Sequence, residues 1–212
     1  MGKSGIIFDV DGTLWDSSCE VARSWDQIFK KHEDVKRGCS RDDIMSVMGK
    51  PMNVIAEIFF KDIPKERREA YLKECEDNEL GYLREHQPKA FDGVKNMFER
   101  LSQKYPLFIV SNCQSGYIEL FMEICGLEEY VTDIECFGNN KKAKGDNIRL
   151  IAKRNGLDKY YYVGDIYTDY TATVEAGGIF VYAAYGFGEV NEDVLRADSV
   201  EELTKMFESG DM

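Results

Sequence analysis

The stretch that decides the fold is "IIFDVDGTLWD", residues 6–16, where an apolar run ends in two carboxylates separated by one valine and followed by glycine and threonine. Ile6, Ile7 and Phe8 do not alternate with polar residues, which is the pattern of a strand buried on both faces of a parallel sheet. Asp9 and Asp11 at the end of such a strand are costly unless a cation, a proton or a reacting group neutralises them. The run therefore predicts a central strand with a chemical site at its carboxyl end.

Working outward, short apolar runs after residue 90 alternate with segments of helical periodicity, the signature of a parallel sheet covered by helices. Val94, Met97, Phe98 and Leu101 share a helix face with Asp92 as its cap. "LFIVSN" (107–112) reads as a strand, residues 115–125 as a helix stopped by Gly126, and "DIECF" (133–137) as a short strand. A helix from about Asp146 ends at Gly156; "YYYVGD" (160–165), a helix over 169–176 and "IFVYAA" (179–184) follow. Residues 17–88 differ, because Val21, Trp25, Ile28 and Phe29 keep helical spacing and no β-rich run occurs. The fold class expected is α/β, a doubly wound parallel sheet from residues 1–16 and 89–212, with an all-helical domain inserted over 17–88.

Composition narrows the function classes. With 27 Lys and Arg against 39 Asp and Glu, the net charge of −12 disfavours bulk attraction to nucleic acid or to an anionic membrane. No apolar run approaches the ~18 residues of a membrane span. Six cysteines are scattered without a C-x-x-C pair, so they read as reduced thiols in a cytoplasmic protein. A monomer is the default expectation.

Three strands finish in polar residues: Asp9 and Asp11, then Ser111 and Asn112, then Asp165. Neighbouring strands of an open parallel sheet share one crevice at their carboxyl ends, so these groups are expected to converge. Lys141, Lys142 and Lys144 lie just before a helix that reaches the same edge. Clustered carboxylates suit a hard divalent cation, and Mg²⁺ usually takes one or two of them. A hydroxyl, an amide and an ammonium add a phosphate site, and a remaining carboxylate can attack phosphorus.

In these residues the chain resembles the haloacid dehalogenase-like superfamily, in its phosphatase branch with a helical cap. "DVDGT" is similar to the first motif, D-x-D-G-T; "VSN" to the second; "KGDN" to the third; "GDIYTD" to the fourth, G-D-x-x-x-D. The resemblance implies a small phosphate ester as substrate, Asp9 as nucleophile, Asp11 as general acid and base, and Ser111, Asn112 and Lys144 on the phosphate. It further implies Mg²⁺ held by Asp9, Asp11 and Asp165, with Asp169 as a supporting acid. Gly145 follows Lys144 where many relatives have proline, and Lys142 competes as the site lysine; Lys144, directly before the helix, is preferred. Trp15, Ile166 and Tyr167 also depart from the family pattern and are expected to alter the mouth of the site.

A dehalogenase would not need Asp11, because halide leaves without a proton. A phosphomutase of the same superfamily typically has a cap histidine soon after the first motif, and residues 16–31 contain none. A receiver-like phosphoacceptor module, the non-enzymatic rival, would place its acceptor where this chain has Ser111 and would lack the insertion. His32 and His86 read as surface residues, and Cys113 as an inert buried thiol. Lys50, in the "GKP" break (49–51), reads equally as a solvated turn and as a cation facing the site. "YGFGE" (185–189) resembles a loop bordering the site in relatives. The ester itself is not encoded in any motif of residues 16–88.

Overall fold

The computed structural model describes residues 2–210; residues 1 and 211–212, the outermost of the expected core segments, lie outside the described residues. Among the described residues there are six strands: β1 (Ser4–Phe8), β2 (Leu107–Ser111), β3 (Val131–Cys136), β4 (Lys159–Gly164), β5 (Ile179–Ala183) and β6 (Leu195–Ala197). They form one sheet in the order β3-β2-β1-β4-β5-β6, and every neighbouring pair is parallel. The chain moves outward from β1 in one direction through β2 and β3, then crosses back to β4. The order thus reverses beside β1, and the crevice outside the strand ends opens at that switch point.

Residues of β1 alternate between two apolar faces, which is why its sequence does not alternate in polarity. Ile6 and Phe8 pack in one cluster with Phe98, Leu101 and Ile109, whereas Ile7 packs in another with Phe108, Val110, Ile148 and Tyr162. Helices α5 (Val94–Leu101), α6 (Tyr117–Cys125), α7 (Phe137–Asn140), α8 (Lys144–Arg154), α9 (Tyr167–Ala176) and α10 (Val200–Ser209) complete this part.

Between β1 and α5 run four further helices among the described residues: α1 (Ser18–Lys31), α2 (Arg41–Val47), α3 (Met52–Phe59) and α4 (Lys65–His86). α1 buries Val21, Ala22, Trp25, Ile28 and Phe29. Trp25 meets Phe59 edge-on at 5.5 Å between ring centroids, and Phe29 meets Phe60 at 5.3 Å. Each such side chain fully buried contributes about 1.5–3 kcal/mol, so this cluster holds the insertion together. α4 packs on α1 and buries Tyr71, Cys75, Glu79 and Leu83, four-residue steps along one face. The third of these is an acid.

The structure changes several local expectations. Asp92 does not cap α5; the N-cap is Gly93, in the left-handed region at φ 92° with no side-chain bond. α6 begins at Tyr117 rather than 115, behind Gly116. α8 begins at Lys144 rather than Asp146, because Ala143 is extended and its carbonyl accepts from Asn147 N. β6 and α10 lie beyond the elements expected from the sequence: three-residue β6 is too short for periodicity, whereas α10 carries a Ser199 cap and Val200, Leu203 and Phe207 at helical spacing.

Candidate active site

Asp9 follows the last residue of β1, and its N–H donates to Val163 O of β4 at 2.9 Å, so the sheet itself fixes its backbone. Its carboxylate is 2% exposed. Oδ2 lies 3.1 Å from Lys144 Nζ, while Oδ1 is buried without a hydrogen bond among the described residues. Lys144, the first residue of α8, also meets Asp169 Oδ1 at 2.6 Å. Burial alone would lower the Lys144 pKa; Asp169 and Asp9 outweigh it and hold the ammonium well above its usual range. Lys142 is exposed and makes no such contact, so the geometry brings Lys144 and not Lys142 to Asp9.

Asp165 stands beyond β4. Thr13 Oγ1 donates to its Oδ1 at 3.2 Å and Phe187 N to its Oδ2 at 2.8 Å, which places the "YGFGE" loop at the site's border. Gly12 allows the close approach: at φ +79° it turns the chain, and a Cβ there would lie 2.1 Å from Asp165 Oδ2. Asp169, in the first turn of α9, has both oxygens engaged, one by Lys144 and the other by the Asp165 N–H at 3.2 Å.

Asp9, Asp165 and Asp169 each offer a carboxylate oxygen within 4.8 Å of the others, all three buried. Burial, with repulsion from Asp169 and Asp9, pushes Asp165 well above the usual carboxylate range. Burial likewise pushes Asp169 up to about 6, against the pull of Lys144. Three acids facing one lysine, with the Asp9 Oδ1 orphan among them, fit a hard divalent cation on oxygen donors. Asp9 Oδ1 is the open oxygen for it; each Asp165 oxygen accepts one neutral hydrogen bond and keeps a lone pair, whereas Asp169 is paired with the Lys144 ammonium.

The Asp11 carboxylate lies outside this side-chain group. It turns instead to α6 and the start of the insertion. Its Oδ1 accepts from Tyr117 OH at 2.7 Å, Ser17 Oγ at 3.0 Å and Trp15 Nε1 at 3.1 Å. Oδ2 takes no hydrogen bond among the described residues, and Asp11 lines the cleft. Burial pushes its pKa up to about 6; the Tyr117 bond opposes the shift and Asp9 adds to it. A carboxyl that titrates near neutrality is suited to give and take a proton. Trp15 is therefore no mouth residue: fully buried against Tyr117 and Phe121, it orients Asp11.

Ser111, 5% exposed at the end of β2, and Asn112 line the same cleft. Asn112 Nδ2 donates to Gly49 O at 2.8 Å, which ties the site to the 49–51 turn of the insertion. Gly49 sits at φ +76°, in the left-handed region that favours glycine. His32, half-buried and stacked on Tyr71, and His86, stacked on Tyr82, do not line the cleft. Burial raises the Cys113 thiol well above its usual pKa, as befits an inert thiol.

Sequence reasoning missed the far wall. Glu79 of α4 is 3% exposed in the cleft lining; Trp25 Nε1 donates to Oε2, and Gln114 Nε2 to Oε1 at 2.7 Å. Burial pushes its pKa up to about 7, against those two bonds. An acid on the buried four-residue stripe of α4 was the available signal. Between pH ~4.5 and ~7 the folded chain keeps a proton on Glu79 that the unfolded chain has lost, so stability should fall as pH rises through that window. The loss is about 3 kcal/mol. Urea unfolding of wild type and Glu79→Gln across this range should show the variant gaining on the wild type as pH rises; parallel curves would refute the assignment.

An open parallel α/β sheet whose carboxyl edge gathers buried acids, a buried lysine and a strand-end hydroxyl defines an enzyme of the phosphatase type. The chain belongs to the haloacid dehalogenase-like hydrolase family, whose family model matches residues 6–183. It is 26% identical to the phosphoglycolate phosphatase of Escherichia coli (strain K12), over 86% of this chain and 82% of that protein. With the phosphoglycolate phosphatase of Aquifex aeolicus (strain VF5) it shares 25% identity, over 89% and 88%. The fold matches crystal structures of a predicted phosphatase from Clostridium acetobutylicum (TM-score 0.81, 19% identity, 99% of both chains) and of a predicted phosphoglycolate phosphatase from Haemophilus somnus 129pt (TM-score 0.79, 21% identity, 97% of this chain and 98% of that one). Among the described residues no helix is long and apolar enough to cross a membrane.

Proposed function

We propose that the chain is a Mg²⁺-dependent phosphatase that hydrolyses a small phosphate monoester through an aspartyl phosphate on Asp9, with residues 17–88 as its cap. The observation that carries this reading is the buried Asp9–Lys144 pair with Asp9 Oδ1 left unpartnered. Mg²⁺, held by Asp9 and Asp165, would neutralise phosphate oxygens and keep Asp9 ionised. Ser111 and Lys144 bind the phosphoryl group, with the backbone of Asn112 beside it; Asp169 positions Lys144. Asp9 attacks phosphorus, the bond to the leaving oxygen breaks, and Asp11 gives that oxygen its proton. Water then attacks the aspartyl phosphate, Asp11 takes a proton from it, and phosphate is released with Asp9 restored.

The histidines' distance from the cleft lining favours hydrolysis over a mutase reaction, and the relatives' phosphoglycolate is the first ester to test. A monomeric cytoplasmic chain, with no nucleic-acid partner, belongs to the same reading. Asp165→Ala is expected to lose Mg²⁺ binding and p-nitrophenyl phosphate turnover together, the latter by more than about 100-fold. Calorimetric titration with Mg²⁺ and assays with and without chelator check this; undiminished hydrolysis in excess chelator would sink it.

A further inference from the structure

On the cap side, the cleft above Asp9 is apolar except at Glu79 and at the exposed Lys50. Val21 and Trp25 of α1, Val47 of α2 and Met52 of α3 line it, and Glu79 enters from α4. Glu79 makes no ion pair among the described residues. Each of its oxygens accepts one hydrogen bond, from Trp25 or Gln114, so each retains acceptor capacity. Asn112 adds a second acceptor: its Nδ2 is spent on Gly49, and its Oδ1 is buried with no partner. Among the described residues Lys50 is the one cation in this lining, and it is exposed on the 49–51 turn, where water and salt screen it.

Apart from the exposed Lys50, the polar groups with open capacity here are Glu79 and Asn112 Oδ1, and above about pH 7, or beside a cation that draws off its proton, Glu79 is an anionic acceptor without a counter-charge. Such a wall is complementary to a donor and hostile to a second acid, which would meet like charge and acceptor against acceptor in a poorly screened space. Resting on the phosphatase reading above, we propose that the pocket selects phosphate monoesters of amino alcohols, whose ammonium group pairs with Glu79 and Asn112 Oδ1. Esters whose alcohol carries a carboxylate, such as phosphoglycolate, are disfavoured. Hydrolysis then releases the free amino alcohol and inorganic phosphate, the ammonium remaining on the alcohol throughout.

The test compares kcat/KM for 2-aminoethyl phosphate, ethyl phosphate and phosphoglycolate with Mg²⁺, beside p-nitrophenyl phosphate as the reporter of phosphatase chemistry. Wild type should prefer the amine over the carboxylate by about 100-fold or more, with ethyl phosphate between them. Glu79→Gln should shrink that ratio at least about tenfold, through a rise in KM for the amine ester and a gain for phosphoglycolate. Equal or better turnover of phosphoglycolate by wild type would overturn the proposal, as would a ratio that survives Glu79→Gln, or no turnover of the amine ester while p-nitrophenyl phosphate is hydrolysed. If the variant does not fold, the wild-type ranking decides alone. A phosphoglycolate preference lost in Lys50→Ala would place a carboxylate on Lys50 instead. Absence of p-nitrophenyl phosphate turnover would instead overturn the phosphatase reading itself, which keeps the two failures apart.

Discussion

Asp9→Asn is expected to abolish turnover of every ester, by about four orders of magnitude or more, and to leave no phosphoenzyme. The amide has no carboxylate lone pair for phosphorus, yet it fills the same space, so the loss is chemical rather than structural. Folding should not suffer, because the substitution removes one of three crowded acids beside a single lysine. Lys144 keeps its 2.6 Å contact with Asp169. Rapid quench of the wild type with ester, followed by reduction of the acyl phosphate to homoserine with tritiated borohydride and peptide mapping, should place the tritium label on residue 9. Label on Asp11 or Asp165 would reverse the assignment even if the protein proved a phosphatase.

Asp11→Asn should lower turnover of alkyl phosphates by roughly 10²–10⁴-fold, the range for loss of a positioned acid and base. The loss should depend on the leaving group. An alkoxide needs its proton, whereas p-nitrophenolate leaves without one, so phosphorylation by the aryl ester should persist and the aspartyl phosphate should accumulate because its hydrolysis lacks the base. The orienting bonds survive, since an amide oxygen still accepts from Trp15, Ser17 and Tyr117. Burst kinetics read the accumulation directly. An equal loss for both ester types, with no phosphoenzyme, would assign Asp11 a structural duty instead.

Much of the fold was legible because β1, β2, β4 and β5 are buried on both faces, and strands of that kind write themselves as unbroken apolar runs ending at the sheet's edge. The same runs located Asp9, Ser111 and Asp165, since strand ends are local events. Lys144 was harder: "KKAKGD" offers three ammonium groups within one loop, and only the start of α8 at Lys144 decides which is buried. The direction of Asp11 was not legible either. Its one-residue offset from Asp9 says that the two side chains diverge, but not that Tyr117 and Trp15 receive the second.

The sequence by itself determined the class of sheet, the order of its motifs, the place of the helical insertion and the acids at the strand ends, because each follows from periodicity or from a few adjacent residues. Tertiary structure alone decided what faces those acids. Trp25 meets Glu79 across 54 residues of chain, and Tyr117 meets Asp11 across 106. Such contacts arise when helices dock on one another and on the sheet edge, through packing that satisfies buried polar groups across elements. No local pattern records which distant donor will arrive. The grouping of Asp9 with Asp165 and Asp169, and the acid in an otherwise apolar cap wall, both depend on that docking.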